Sequence, residues 1–216
     1  MNQLKFKDHS TIAGYKVSTT SKTTQSIAQT DEPAYGTILS NKVIKENKNV
    51  SLSQLFTPLL EPEIIFIVKG DLPYDEDLQT IIFNTQIAAG IEISDARYKN
   101  WFPNFTLADL IADNTTTGII IVGNEGDPLD INAFANVHLN LYKDGNLIAT
   151  GQSSEVLGNP LNSLQWLIKK LHSHSKRLKK GDIISSGTFI SPLTLDYGTY
   201  RAEYSGIGTV EFTVTK

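Results

Sequence analysis

The segment Leu60-Glu61-Pro62-Glu63-Ile64-Ile65-Phe66-Ile67-Val68 constrains this chain more than any other. Its second half, Ile64 to Val68, is the longest continuous apolar run, β-branched and aromatic, and reads as a buried strand. Its first half carries carboxylates at i and i+2, which project to one face of a strand. At least Glu63 is therefore expected beside apolar neighbours. Carboxylates so close repel one another unless a proton or a cation intervenes. A hard divalent ion, Mg²⁺ or Mn²⁺, takes oxygen ligands and answers that repulsion. The alternative is a solvated strand end ahead of the core strand.

Two further segments carry candidate groups. In Ile91-Glu92-Ile93-Ser94-Asp95-Ala96-Arg97, alternation turns Glu92 and Ser94 away from Ile91 and Ile93. That places either a third carboxylate inside the protein or an ordinary amphipathic strand with Glu92 in water. Ile111-Ala112-Asp113-Asn114-Thr115 reads by itself as a helix end and turn. The histidines suggest no metal site: His138 falls on the polar face of a hairpin, and His172 and His174 lie at a lysine-rich helix end, where cations suit the dipole. The basic run from Lys169 to Lys180 reads as solvated surface.

Composition closes several other routes. The 216 residues contain no cysteine, which excludes disulfides, thiolate zinc sites and cysteine nucleophiles. A net charge of -4 offers no basic footprint for nucleic acid or an anionic membrane surface. The five-residue apolar run falls far short of the roughly 20 residues that span a bilayer. Met1 to Ser10 is polar and lacks the apolar core of a signal peptide, so a cytoplasmic location is expected.

Periodicity predicts a strand-rich α+β chain with few helices. A short helix is expected over 22–29, with a turn at Asp31-Glu32-Pro33. After the strand ends at Asp71-Leu72-Pro73, Asp75 reads as the N-cap of a helix through Leu78, Ile81, Ile82 and Ile87, closed by Gly90. A strand Ile91–Ser94 follows, then a Thr106-capped helix through Ile111 and a strand Gly118–Val122. A hairpin over Val137–Ala149 turns at Asp144-Gly145. An amphipathic helix covers Asn162–Leu171. Strands Asp182–Ser185, Tyr200–Tyr204 and Thr209–Val214 complete the chain, the last two joined through Ser205-Gly206-Ile207-Gly208.

Eight short stretches, in order, resemble the 2-keto-4-pentenoate hydratase and 4-oxalocrotonate decarboxylase family of the fumarylacetoacetate-hydrolase superfamily. They are Gly14-Tyr15-Lys16-Val17, Pro33-Ala34-Tyr35-Gly36-Thr37-Ile38, Glu61-Pro62-Glu63-Ile64, Glu92-Ile93-Ser94-Asp95-Ala96-Arg97, Ala112-Asp113-Asn114, Leu157-Gly158-Asn159-Pro160-Leu161 with Trp166, Gly181-Asp182-Ile183-Ile184, and Gly206-Ile207-Gly208. The resemblance implies a mixed β-roll around the active site and a single catalytic domain over 1–216, with the family's N-terminal helical segment largely absent. It implies a Mg²⁺ or Mn²⁺ ion on Glu61, Glu63 and Glu92, and Lys16 as the active-site lysine, acting in proton transfer if its pKa is depressed. Asp95 and Arg97 would brace the metal strand, and Asp113, Asn114, Ser154 and Ser186 would stand near the substrate. The implied reaction adds water to 2-hydroxypenta-2,4-dienoate. The alternatives are a related 2-oxo acid decarboxylase or C–C hydrolase, or a catalytically impaired metal-binding relative. The implied partners are a small 2-oxo or 2-hydroxydienoic acid and further copies of the chain in a homo-oligomer. Ala34 departs from the pattern, since the family carries an acidic residue there.

Overall fold

A computed structural model describes residues 10–70, 72, 74 and 77–216. Its centre is the apolar run read from the sequence. Strand β5 (Pro58–Val68) is longer than that run and begins before the two glutamates. It pairs antiparallel over its whole length with β6 (Thr85–Asp95), which is buried at nearly every position. Burial on both faces is why these strands are near-continuously apolar rather than alternating.

Around this pair the first sheet runs β2 (Ala34–Leu39), β1 (Ile12–Ser18), β10 (Ile183–Thr188), β5, β6, β7 (Ile119–Gly126), β3 (Val43–Lys45). A short β11 (Leu193–Thr194) also pairs β5. One face of the sheet gathers Ile38, Ile65, Ala88, Ile120 and Val122, with Ala13, Val43 and Ile183 against them. Side chains from both edges of the sheet thus meet in one small cluster, so the sheet is rolled, with this face inside. The opposite face packs Ile64, Phe66, Ala89 and Ile91 against the second sheet and a helix, in the main core. The second sheet runs β4 (Asn49–Ser51), β13 (Gly208–Thr215), β12 (Gly198–Tyr204), β8 (His138–Lys143), β9 (Asn146–Gln152).

Helices are short, as expected of a strand-rich α+β chain. Helix α1 (Lys22–Ala28) opens with Ser21 and Thr24 in a reciprocal capping box. Helix α3 (Leu107–Ala112) is capped by Thr106, as the sequence predicts. Helix α4 (Pro160–Ser173) starts at the Asn159 cap with proline in its first turn and buries Leu161, Leu164, Leu167, Ile168 and Leu171. The β8–β9 hairpin turns at Asp144 and Gly145, both at positive φ.

One expectation is overturned. The helix predicted through Ile87 to a Gly90 cap is only α2 (Leu78–Phe83), and Ile87 and Gly90 belong to β6. The turn at Asn84 ends the helix, after which the chain pairs with β5 and β7. The strand end at Asp71 and Pro73 and the cap at Asp75 lie outside the described residues. Asp77 caps α2, its carboxylate accepting from Thr80 N at 2.8 Å.

Candidate metal and active site

Register assembles the site. Glu61 faces Glu92 directly across the β5–β6 pair, and Glu63 faces Gly90. Gly90 makes room here, since a Cβ at that position would stand 2.2 Å from the Ile65 side chain. Lys16 on β1 lies opposite Ser185 on β10, and Ser185 lies opposite Ile65. Lys16, Ser185 and the carboxylates therefore share the inner face of the roll.

Pro62 sits between the two glutamates in a central strand, where a missing N–H would ordinarily break the ladder. The Pro62 carbonyl accepts from Phe189 N at 3.3 Å. On that side β10 shifts register after Ser185, and β11 takes over opposite Leu60. Proline thus falls at the handover, and the same bulge brings Gly187 N to 2.7 Å from Glu63 Oε2, with Ser185 Oγ at 2.6 Å from that oxygen.

One oxygen from each of Glu61, Glu63 and Glu92 lies within 4.8 Å of the others. Glu63 and Glu92 are buried, and Glu61 is half-buried and accepts from Ser94 Oγ. Lys16 Nζ stands 3.1 Å from Glu92 Oε1, both side chains almost wholly buried. This contact is an ion pair, and among the described residues neither Glu92 oxygen accepts an aligned hydrogen bond. Burial, with Glu92 and Glu61 alongside, pushes the Glu63 carboxyl well above its usual range. Burial, against the pull of Lys16, lifts Glu92 to about 7. Burial disfavours the Lys16 ammonium, but Glu92, Glu61 and Glu63 together outweigh it and raise the lysine. The depressed lysine that proton acceptance requires is therefore not what this arrangement produces.

Three acidic oxygens facing one another, with a buried oxygen lacking a donor, fit an oxygen-loving divalent cation. The reading of Glu92 as a solvated strand residue is overturned.

Other sequence-predicted residues fall around this centre. Asp95 Oδ1 accepts from Phe56 N and Thr57 N and ties the entry of β5 to the end of β6. Arg97 grips Asp113 through Nε at 2.7 Å and also donates to the Asp95, Thr117 and Asp113 carbonyls. Asn114 pairs with the Thr37 backbone through both ends of its amide. These four groups hold loops and strands together. Ser154 lies in a turn, and Ser186 is buried with no partner for its Oγ among the described residues. Neither lines the cavity above the carboxylates. Ala34 is buried, its N–H donating to Thr19 Oγ1.

That cavity measures about 430 Å³ and opens onto Lys16 and Glu61. Its walls were missed by sequence reasoning. One is hydroxyl-rich, from Thr19, Thr20, Thr116 and Thr188, and the other is apolar, from Trp101, Phe102, Phe105 and Leu110. The second had a visible signal, three large aromatics within the five residues from Trp101 to Phe105. Ser185 and Gly187 had none, because Ser185 meets Glu63 through the β10–β5 register and Gly187 N through the bulge that follows it, neither of which a local pattern reports.

The rolled mixed sheet is a fumarylacetoacetate-hydrolase-like fold. No family model matches the chain. It is 28% identical over 222 residues to the 2-keto-4-pentenoate hydratase of Burkholderia vietnamiensis, covering 100% of this chain and 82% of that one. It is 27% identical over 218 residues to the 2-oxo-hept-4-ene-1,7-dioate hydratase of Escherichia coli, covering 96% and 80%. In fold it matches the 4-oxalocrotonate decarboxylase from Pseudomonas putida G7, complexed with magnesium and adipate. The TM-score is 0.88 at 22% identity, over 99% of this chain and 82% of that one. In sequence the chain is thus similar over most of its length to proteins named as hydratases of small 2-oxo acids, and in fold it is like the decarboxylase. Among the described residues no helix is long and apolar enough to cross a membrane.

Proposed function

We propose that the chain is a Mg²⁺- or Mn²⁺-dependent hydratase of 2-hydroxy-2,4-dienoic acids, of which 2-hydroxypenta-2,4-dienoate is the simplest. The observation that carries this reading is the triad of Glu61, Glu63 and Glu92, with the Lys16 ammonium at its edge and a cavity above.

Glu61, Glu63 and Glu92 would hold the cation, leaving its cavity side to the substrate. When bound, the cation supplies Lewis-acid stabilisation of negative charge at the substrate's C2 oxygen and carboxylate. Lys16, held as an ammonium by the carboxylates, attracts the anionic substrate and donates to the oxygen that takes up charge. Ser185 and Gly187 hold Glu63 in place, as partners behind a ligand do. The aromatic wall excludes bulk water from the diene. Protonation at C5 gives the ketone and makes C4 electrophilic. Water then adds at C4, and the product is 4-hydroxy-2-oxopentanoate. The working unit is proposed to be a homo-oligomer in the cytoplasm.

The test follows the dienol absorbance of 2-hydroxypenta-2,4-dienoate with and without Mg²⁺, and identifies the product. Metal-dependent loss of the band with formation of the hydroxyketone is expected. Release of CO₂ from 4-oxalocrotonate with an inert dienoate would assign the site to decarboxylation instead.

A further inference from the structure

We infer that the acid this site accepts carries a neutral, apolar tail and not a second carboxylate. This rests on the metal and oxo-acid reading above and concerns the other end of the same substrate. Among the described residues lining the cavity, Lys16 is the one cation. It is buried at the carboxylate end and already paired to Glu92. Beyond it the lining offers hydroxyls, the Gln152 amide and the apolar side chains of Ile27, Trp101, Phe102, Phe105 and Leu110. The other carboxyl side chains of the lining are Glu61, at the triad, and Glu155, which is exposed at the cavity's edge.

A second carboxylate reaching into this space would lose water against aromatic rings and meet no further cation among the described lining residues. Burying an unpaired charge is among the costliest things a site can ask of a ligand. An alkyl or alkenyl tail loses nothing there and removes its own surface, and that of the rings, from water.

Size agrees. The cavity holds about 430 Å³. At ~30 Å³ for each water displaced, that is room for about fourteen water-sized groups, whereas a five-carbon oxo acid has about eight non-hydrogen atoms. With Lys16 and Glu61 at the triad and Ile27, Trp101, Phe102, Phe105 and Leu110 in the remaining lining, the cavity describes a ligand that is charged at its head and uncharged at its tail.

The test is calorimetry with saturating Mg²⁺ on the intact chain, using pyruvate, 2-oxohexanoate and 2-oxoadipate; the last two differ only in the terminal carboxylate. Pyruvate is expected to bind only with Mg²⁺. The added methylenes should tighten 2-oxohexanoate by about tenfold, and 2-oxoadipate should bind at least about tenfold more weakly than 2-oxohexanoate. Ile27→Arg places a cation on the half-buried wall. It should bring 2-oxoadipate up to or past 2-oxohexanoate, with Mg²⁺-dependent pyruvate binding retained as the report on the carboxylate end and the fold. Metal-dependent pyruvate binding with 2-oxoadipate equal to or tighter than 2-oxohexanoate would overturn the tail assignment and leave the metal reading standing. An Ile27→Arg protein that binds pyruvate normally but keeps the wild-type order would overturn it too. No metal-dependent pyruvate binding would overturn the metal reading and this inference with it.

Discussion

At the scale of single residues, the site is a problem in charge. Three carboxylates and one ammonium are gathered on the inner face of the roll, Glu63, Glu92 and Lys16 buried and Glu61 half-buried, and each is kept by a specific neighbour. Lys16 offsets part of the negative charge, but its stem lies among strands and its ammonium reaches Glu92 rather than open solvent. Substituting Lys16 by alanine should leave Mg²⁺ binding in place, since no ligand is lost and a competing cation is removed. Turnover should fall by about 10²–10⁴-fold, the usual loss for a proton-handling group. Steady-state rates beside a metal titration check this, and unchanged turnover would take Lys16 out of the mechanism. Glu61 and Glu63 were legible in the sequence because two charges broke an apolar strand. Glu92 was legible only as one of two readings, since a lone glutamate in an alternating strand looks the same whether it faces water or an ion.

At the scale of elements, the β5–β6 pair carries the site, and a glycine permits it. Gly90 stands opposite Glu63, with the Ile65 side chain filling the space a Cβ would need. Gly90→Ala should cost about 1–3 kcal/mol by overpacking and push the Glu63 strand away from β6. Thermal unfolding without metal measures the first effect, and Mg²⁺ affinity the second. An unchanged melting temperature would mean that Ile65 yields freely. The same glycine shows where sequence reading failed. Leu78, Ile81, Ile82 and Ile87 fit a helical period, and a glycine after them fits a cap. The structure ends α2 at Phe83, because Thr85 onward gains two strand partners that no local pattern reports. Local signals sufficed where the stabilising contacts are themselves local: the Asp144-Gly145 hairpin, the Thr106 cap and the Asn159-capped face of α4. The edge strands β3, β4 and β11, two or three residues each, leave too short a pattern to read.

At the scale of the whole molecule, the site burdens the fold it sits in. Glu63 and Glu92 have folded-state values above the ordinary ~4.3 of an unfolded chain, Glu92 reaching about 7. The folded protein therefore holds more protons than the unfolded one between those limits. Stability from these groups is full below the lower limit and is lost as pH rises through the upper. Lys16, raised above its usual value, stays charged throughout that window. The metal-free protein should melt several degrees lower at about pH 8 than at about pH 5.5, with ~1 kcal/mol moving the midpoint by roughly 2–4 °C at this size. Mg²⁺ should recover more at the higher pH, because it binds the deprotonated carboxylates. A melting temperature that rises with pH in the absence of metal would show that the carboxylates are not strained by burial.

The central claim is that Glu61, Glu63 and Glu92 form one cation site shared with a 2-oxo acid. Calorimetric titration of Mg²⁺ and Mn²⁺ into the wild type and the Glu61→Gln/Glu63→Gln variant, with and without oxalate as a mimic of the 2-oxo acid head, tests it most directly. One site is expected in the wild type, tightened by oxalate and abolished in the double variant. Absence of binding to the wild type at millimolar metal, or a double variant that binds as the wild type does, would contradict it.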